Sequence, residues 1–197
     1  MTHYVFPPAP TFGIGSEAFT YWQNGFTNDE LKLIIDFGNS QIPSKSSVGS
    51  GVSGGMIPNE KSSEISWINL NNNSKWIYDK IIHIMMSLNT QFYQFNLYGF
   101  IDQIQFINYE ADENCDWHTD LQNQQPPRKL SFILELSDPK DYEGGELQII
   151  NYKDPLTIRK EKGLAIVFPS FSLYRVSPVT KGTKKIIVIC ATGPAFK

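Results

Sequence analysis

The hydrophobic positions of this chain change period about half-way along it. Between Thr27 and Gly38 the apolar residues Leu31, Ile34 and Ile35 fall at helical spacing. Thr27 and Glu30 have the spacing of a capping box, in which each side chain satisfies a free amide of the first turn. Gly38-Asn39 supplies the stop. A second helix is predicted from Ser74 to about Phe92, where Ile77, Ile81, Ile84, Met85 and Leu88 recur at the same period. Asp79, Lys80 and His83 fall on its other side, so His83 reads as a solvated helix residue. His3, near the start, has the same reading.

From about Ile101 the period falls to two. The β-prone runs IDQIQFINY, KLSFILEL, GELQII, PLTIR, LAIVF, LYRVSPV and KIIVIC follow one another, split by Pro, Gly and Asp. In the second run Leu130, Phe132, Leu134 and Leu136 alternate with Ser131, Ile133 and Glu135, the pattern of a strand with one buried face. Strands at this spacing predict an antiparallel sandwich or jelly roll with the two helices packed outside it. The predicted class is α+β, as one domain over residues 1–197. Its first part, 1–96, holds an extended lead-in over 1–25, the two helices and a Gly/Ser-rich loop at 43–63. Its second part, 97–197, is the β core. The loop is too long for a plain connector and reads either as a functional lid or as a disordered segment.

Composition narrows the function classes. With 17 basic and 20 acidic side chains the net charge is −3, which leaves no broad basic face for nucleic acid. No apolar run reaches the roughly 18 residues of a membrane helix. The opening MTHYVFPPAPTF lacks the basic-then-apolar order of a signal peptide. Cys115 and Cys190 read as reduced thiols of a cytoplasmic protein. The oligomeric state is not legible.

The most informative stretch is Trp117-His118-Thr119-Asp120. Two residues apart on a strand, His118 and Asp120 share a face. An imidazole and a carboxylate make two-thirds of a facial metal triad, whose third member is usually a second histidine from a distant strand. Trp117 walls such a pocket or belongs to the core.

Five blocks surround this pair in order. They are QIQFINYEADENCDWHTD (103–120), RKLSFILELSD (128–138), YEGGELQI (142–149), KGLAIVFPSF (162–171) and YRVSPVTKGTKK (174–185). The set resembles the iron(II)- and 2-oxoglutarate-dependent dioxygenases, most closely the prolyl 4-hydroxylase group with its bacterial and phage hydroxylase relatives. The resemblance covers about residues 97–196. It implies a double-stranded β-helix, or jelly roll, and it implies roles residue by residue. His118 and Asp120 stand where the first two iron ligands stand. Tyr109 stands where relatives often hydrogen-bond the cosubstrate. Lys184 stands where a basic residue meets the distal carboxylate of 2-oxoglutarate, although read alone it is one of three solvated lysines in KGTKK and Tyr109 a core aromatic. Iron(II) and 2-oxoglutarate are the implied cofactors, with ascorbate as a reductant, and no catalytic residue is implied beyond the metal site. Gly144-Gly145 is a turn that needs glycine for its backbone.

The pattern breaks at one place. The second histidine should stand ten residues before Lys184, and the chain has Tyr174 there. Three readings are open: Tyr174 is a phenolate ligand, iron is held by His118, Asp120, 2-oxoglutarate and water, or the site is dead or repurposed with the phenol filling the ligand position. An unperturbed tyrosine ionises near about pH 10, which weighs on the first. The implied activity is therefore a dioxygenase acting on a peptidyl proline or similar side chain, impaired by the missing histidine. A peptide or protein substrate is expected over a small molecule. The competing reading is a non-catalytic jelly roll that binds 2-oxoglutarate, a peptide or another protein. A third is a carbohydrate-binding or virion jelly roll without metal.

Overall fold

Both predicted helices form. A computed structural model describes residues 17–45, 63–121, 125–151 and 154–195. Residues 1–16 of the predicted 1–25 lead-in and nearly all of the 43–63 loop lie outside the described residues. Helix α1 spans Asn28–Asn39, and its capping box is complete: the Thr27 amide donates to Glu30 Oε2 at 2.7 Å and the Glu30 amide donates to Thr27 Oγ1 at 3.3 Å. Helix α2 spans Lys75–Leu88 and continues into one π-helical turn at Asn89–Tyr93. An ion pair of 2.6 Å between Lys80 and Glu30 joins the two helices. Gly38 does not stop α1. It lies inside the helix, and a Cβ there would sit 2.3 Å from the Phe106 ring, so glycine is what lets α1 approach the sheet.

Among the described residues there are also fourteen strands. Five precede the candidate metal pair: β1 (Thr20–Trp22), β2 (Ser44–Lys45), β3 (Glu64–Ile68), β4 (Gly99–Phe100) and β5 (Ile104–Tyr109). Next come β6 (Cys115–His118), β7 (Arg128–Glu135), β8 (Tyr142–Gly144), β9 (Leu147–Asn151) and β10 (Asp154–Thr157). The last are β11 (Ala165–Pro169), β12 (Tyr174–Val176), β13 (Val179–Gly182) and β14 (Lys184–Thr192). The large antiparallel sheet runs β1-β11-β7-β14-β5-β3-β2, with β4 also on β14. The small sheet runs β10-β9-β12-β6, and β13 pairs with β8. The pattern did not reveal β1, β3, β6 or β8 as strands, because each is three to five residues long and carries too few alternations to register.

Two apolar layers follow. In one, Leu31 and Ile34 of α1 and Ile77, Ile81 and Ile84 of α2 pack against Phe106, Leu130, Phe132, Leu134, Val167 and Ile187 of the large sheet. In the other, Ile107, Ile133, Ile166, Phe168 and Ile186 of the large sheet meet Cys115, Leu147, Ile149, Tyr174 and Val176 of the small one. The second layer is the interior of the jelly roll. The expectation of one buried face for β7 is corrected here. All eight of its residues are buried, because its leucine side faces the helices while Ser131, Ile133 and Glu135 face the inside of the barrel. Solvent reaches neither face of a central strand covered by helices on one side and a second sheet on the other. Among the described residues no helix is long and apolar enough to cross a membrane.

Candidate metal centre

Strand β12 lies between β9 and β6, and its register sets Tyr174 directly opposite His118. His118 closes β6, and Asp120 follows in the turn rather than on the strand. That turn is held by the Leu121 amide, which donates to the Ser170 carbonyl at 2.9 Å. His118 Nδ1 lies 2.7 Å from the Asp116 carbonyl oxygen, which assigns the proton to Nδ1 and leaves Nε2 as an acceptor. Nε2 in turn faces Asp120 Oδ1 at 3.9 Å. Two acceptors turned toward each other across such a gap form one edge of a cation site.

The third corner is closed. The Tyr174 hydroxyl donates to the Asp120 carboxylate, 3.1 Å from Oδ1 and 3.2 Å from Oδ2. Ser131 Oγ donates to Oδ2 from the other side at 2.5 Å. The Tyr174 ring lies 4.2 Å from the His118 ring and 4.9 Å from Phe168, centroid to centroid. Burial above all, and the Asp120 charge next, push the Tyr174 phenol well above its ordinary value, so it stands as a neutral donor. A facial iron(II) centre needs three protein donors around one ion. Among the described residues, no group of three or more His, Cys, Asp and Glu side chains is placed to hold a metal. His118 and Asp120 suit two positions of an iron(II) site, but the set does not fit the whole centre, because among the described residues no third His, Cys, Asp or Glu joins them and a protonated phenol donates to Asp120 instead.

Deeper in the barrel, Lys184 begins β14 opposite Tyr109 of β5. Both are about 1% exposed. The Lys184 ammonium is not open to the interior. It donates to both carboxylate oxygens of Glu135 at 2.6 Å, and the Tyr142 ring lies 5.2 Å from Nζ. Burial, then the neighbouring Cys115 and Glu135, hold the Tyr109 phenol well above its ordinary value. Gly144 and Gly145 both adopt positive φ, 71° and 64°, as their turn requires. Trp117 lies outside the centre, with its ring 4.7 Å from the Arg175 guanidinium. His83 is exposed, edge-on to Trp22. Ser131 and Glu135 are the two polar residues of this interior that the alternation pattern assigned to a solvent face. A carboxylate amid an otherwise apolar run was the signal that could have singled out Glu135.

The matched segment of sequence agrees with this geometry. The family model described as the 2OG-Fe(II) oxygenase superfamily matches residues 104–191, from β5 to the end of β14. The match spans less than half of the chain and marks a likeness of this segment to that superfamily. A PKHD-type hydroxylase of Gloeothece citriformis is 40% identical over 91 residues, which is 45% of this chain and 41% of that protein. The match thus spans less than half the length of that relative. Two solved structures share the fold over most of the chain. A Pseudomonas putida prolyl-4-hydroxylase superposes with a TM-score of 0.67 at 15% identity, covering 90% of this chain and 94% of its own. A Trichoplax adhaerens prolyl hydroxylase in complex with a hypoxia inducible factor peptide fragment gives 0.70 at 16%, covering 89% and 83%. The architecture is the double-stranded β-helix of these oxygenases.

The buried phenols carry a pH prediction. Tyr93, Tyr109, Tyr142 and Tyr174 all have pKa values raised chiefly by burial. A raised folded-state pKa means that the unfolded chain releases these protons first, from about pH 10 upward. Their stabilising contribution is whole below about pH 10 and is lost above it, by about 1.4 kcal/mol per pH unit for each buried phenol. Tyrosinate absorbance should therefore rise in two steps, with the second coincident with loss of near-ultraviolet circular dichroism. A single smooth titration in a still-folded chain would contradict the burial.

Proposed function

We propose that this chain is a 2-oxoglutarate- and iron(II)-dependent dioxygenase in architecture and descent, of the type that hydroxylates a peptidyl proline or similar side chain, with its own activity impaired by Tyr174. One observation carries the reading: the Tyr174 hydroxyl reaches both oxygens of Asp120 from the position where a third ligand would stand. The neutral state of this phenol supports the closed site over a phenolate ligand. Iron(II), where three donors hold it in such a fold, supplies the oxidising chemistry. In this chain the residues do something else. Asp120 is turned away from metal binding by Tyr174 and Ser131, and His118 keeps its tautomer through Asp116. The substrate class is supported by likeness to the hydroxylases and by exposed Leu121, Phe171 and Leu173, which adjoin Asp120, Ser170 and Tyr174 in sequence and offer apolar surface to a peptide. The buried thiols of Cys115 and Cys190, neither of them in a disulfide, suit the reducing cytoplasm.

A second reading, a non-catalytic jelly roll that binds a peptide or protein, is favoured by the Lys184–Glu135 pair. That pair occupies the implied cosubstrate anchor from within. The test is succinate formation by the full chain supplied with iron(II), 2-oxoglutarate, ascorbate and a panel of proline-containing peptides. Succinate at the level of a no-protein control is expected. Succinate in step with a peptide mass gain of one oxygen would overturn the impairment.

A further inference from the structure

The Lys184–Glu135 pair is among the most deeply buried ionic contacts of the molecule. The side chains are 1% and 4% exposed, and a single ammonium reaches both oxygens of one carboxylate. It has little room to rearrange. A Cβ on Gly145 would meet Lys184 Cδ at 3.1 Å, and the Tyr142 ring lies 5.2 Å from the ammonium. Breaking such a pair leaves a charge uncompensated in a medium that solvates it poorly, so the partners hold each other in place. The charge balance points the same way. Lys184 and Glu135 cancel, and Asp120 adds a further negative charge to the barrel interior. A dicarboxylate arriving there would bring two more negative charges and meet a Lys184 ammonium already held by Glu135.

We propose that Glu135 is the selectivity residue of this site: held by Lys184, its carboxylate stands in for the far carboxylate of a dicarboxylic 2-oxo acid and excludes that class of ligand. The inference rests on the reading that Lys184 is the anchor of the organic acid. It is independent of the metal and of Tyr174. Glu135 comes from β7 and Lys184 from β14, two neighbouring strands of the large sheet. The internal carboxylate is thus part of the strand framework, and no loop movement withdraws it.

The test is metal-free binding of 2-oxoglutarate, read by ligand-observed NMR on the full chain. Native protein should show no saturable binding up to about 5 mM, whereas Glu135→Gln should bind at least about tenfold more tightly, or ~1.4 kcal/mol. Pyruvate, which lacks the far carboxylate, should gain nothing from the substitution. A gain below about tenfold, or native binding saturating below about 5 mM, overturns the proposal. Should Glu135→Gln fail to fold by circular dichroism, the native titration alone decides by the same limit. Adding Lys184→Gln separates the two claims. If the double variant keeps the gain, Lys184 is not the anchor and the underlying reading fails. If it loses the gain, both stand. Glu135→Gln without any gain in a chain that forms no succinate sinks this inference and leaves the impaired-oxygenase reading intact.

Discussion

Tyr174→His should tighten the binding of Mn(II), a redox-inert stand-in for iron(II), by about 100-fold or more. Loss of groups that only orient metal ligands already changes affinity by about 10- to 100-fold, and a third donor should count for no less. The substitution acts twice. It adds an imidazole directly opposite His118 in the register of β12 and β6, and it removes the hydroxyl that ties up Asp120. Tyr174→Phe separates these effects, since it frees Asp120 and adds no donor. It should gain less than about tenfold, because Ser131 still holds Oδ2 and the site still has only two ligands. Titration of free Mn(II) by electron paramagnetic resonance reads both variants directly. Equal affinity of native and Tyr174→His protein would mean that position 174 is not a corner of the centre. Because Glu135 still holds Lys184 in the Tyr174→His variant, regained metal binding should not by itself bring full use of 2-oxoglutarate.

The second large effect is on stability. Lys184→Met removes the ammonium and leaves Glu135, itself 3% exposed, without its cationic partner inside the barrel. Stranding one member of a buried ion pair costs about 3–5 kcal/mol. For a chain of this size that is a fall of about 6–20 °C in the thermal midpoint. Lys184→Met with Glu135→Leu should recover most of the loss, since replacing a buried pair by apolar groups of similar volume is near neutral. The double-mutant cycle isolates the coupling of the two side chains. A midpoint for Lys184→Met within about 2 °C of native would show that water reaches Glu135 and that the pair is not the closed contact described.

These two sites differ in how far they were legible. Tyr174 stood out from the sequence, because the spacing to Lys184 and the order of blocks marked a position where the family pattern asks for histidine. The buried geometry then added a donor-to-carboxylate contact from Tyr174 to Asp120, which supports the closed-site reading. Glu135 was hidden for the opposite reason. Period-two alternation tells inward from outward only when one face is wet, and β7 has no wet face. The charged residue that looked solvent-bound points into the barrel instead. His118 and Asp120 do converge, but through the turn after β6 and not by sharing a strand face.

Sequence alone determined the two helices, the capping box, the glycine turn, the β-rich second half and the nearness of His118 to Asp120. All of these depend on neighbours within a few residues, where propensity and periodicity act. Only the tertiary structure decided that the phenol at 174 reaches Asp120, that Lys184 is already matched by a carboxylate, and that β7 is buried on both faces. Those outcomes depend on which strands lie side by side. Tyr174 and Asp120 are 54 residues apart, Lys184 and Glu135 are 49 apart, and their meeting is set by sheet order and register rather than by any local pattern.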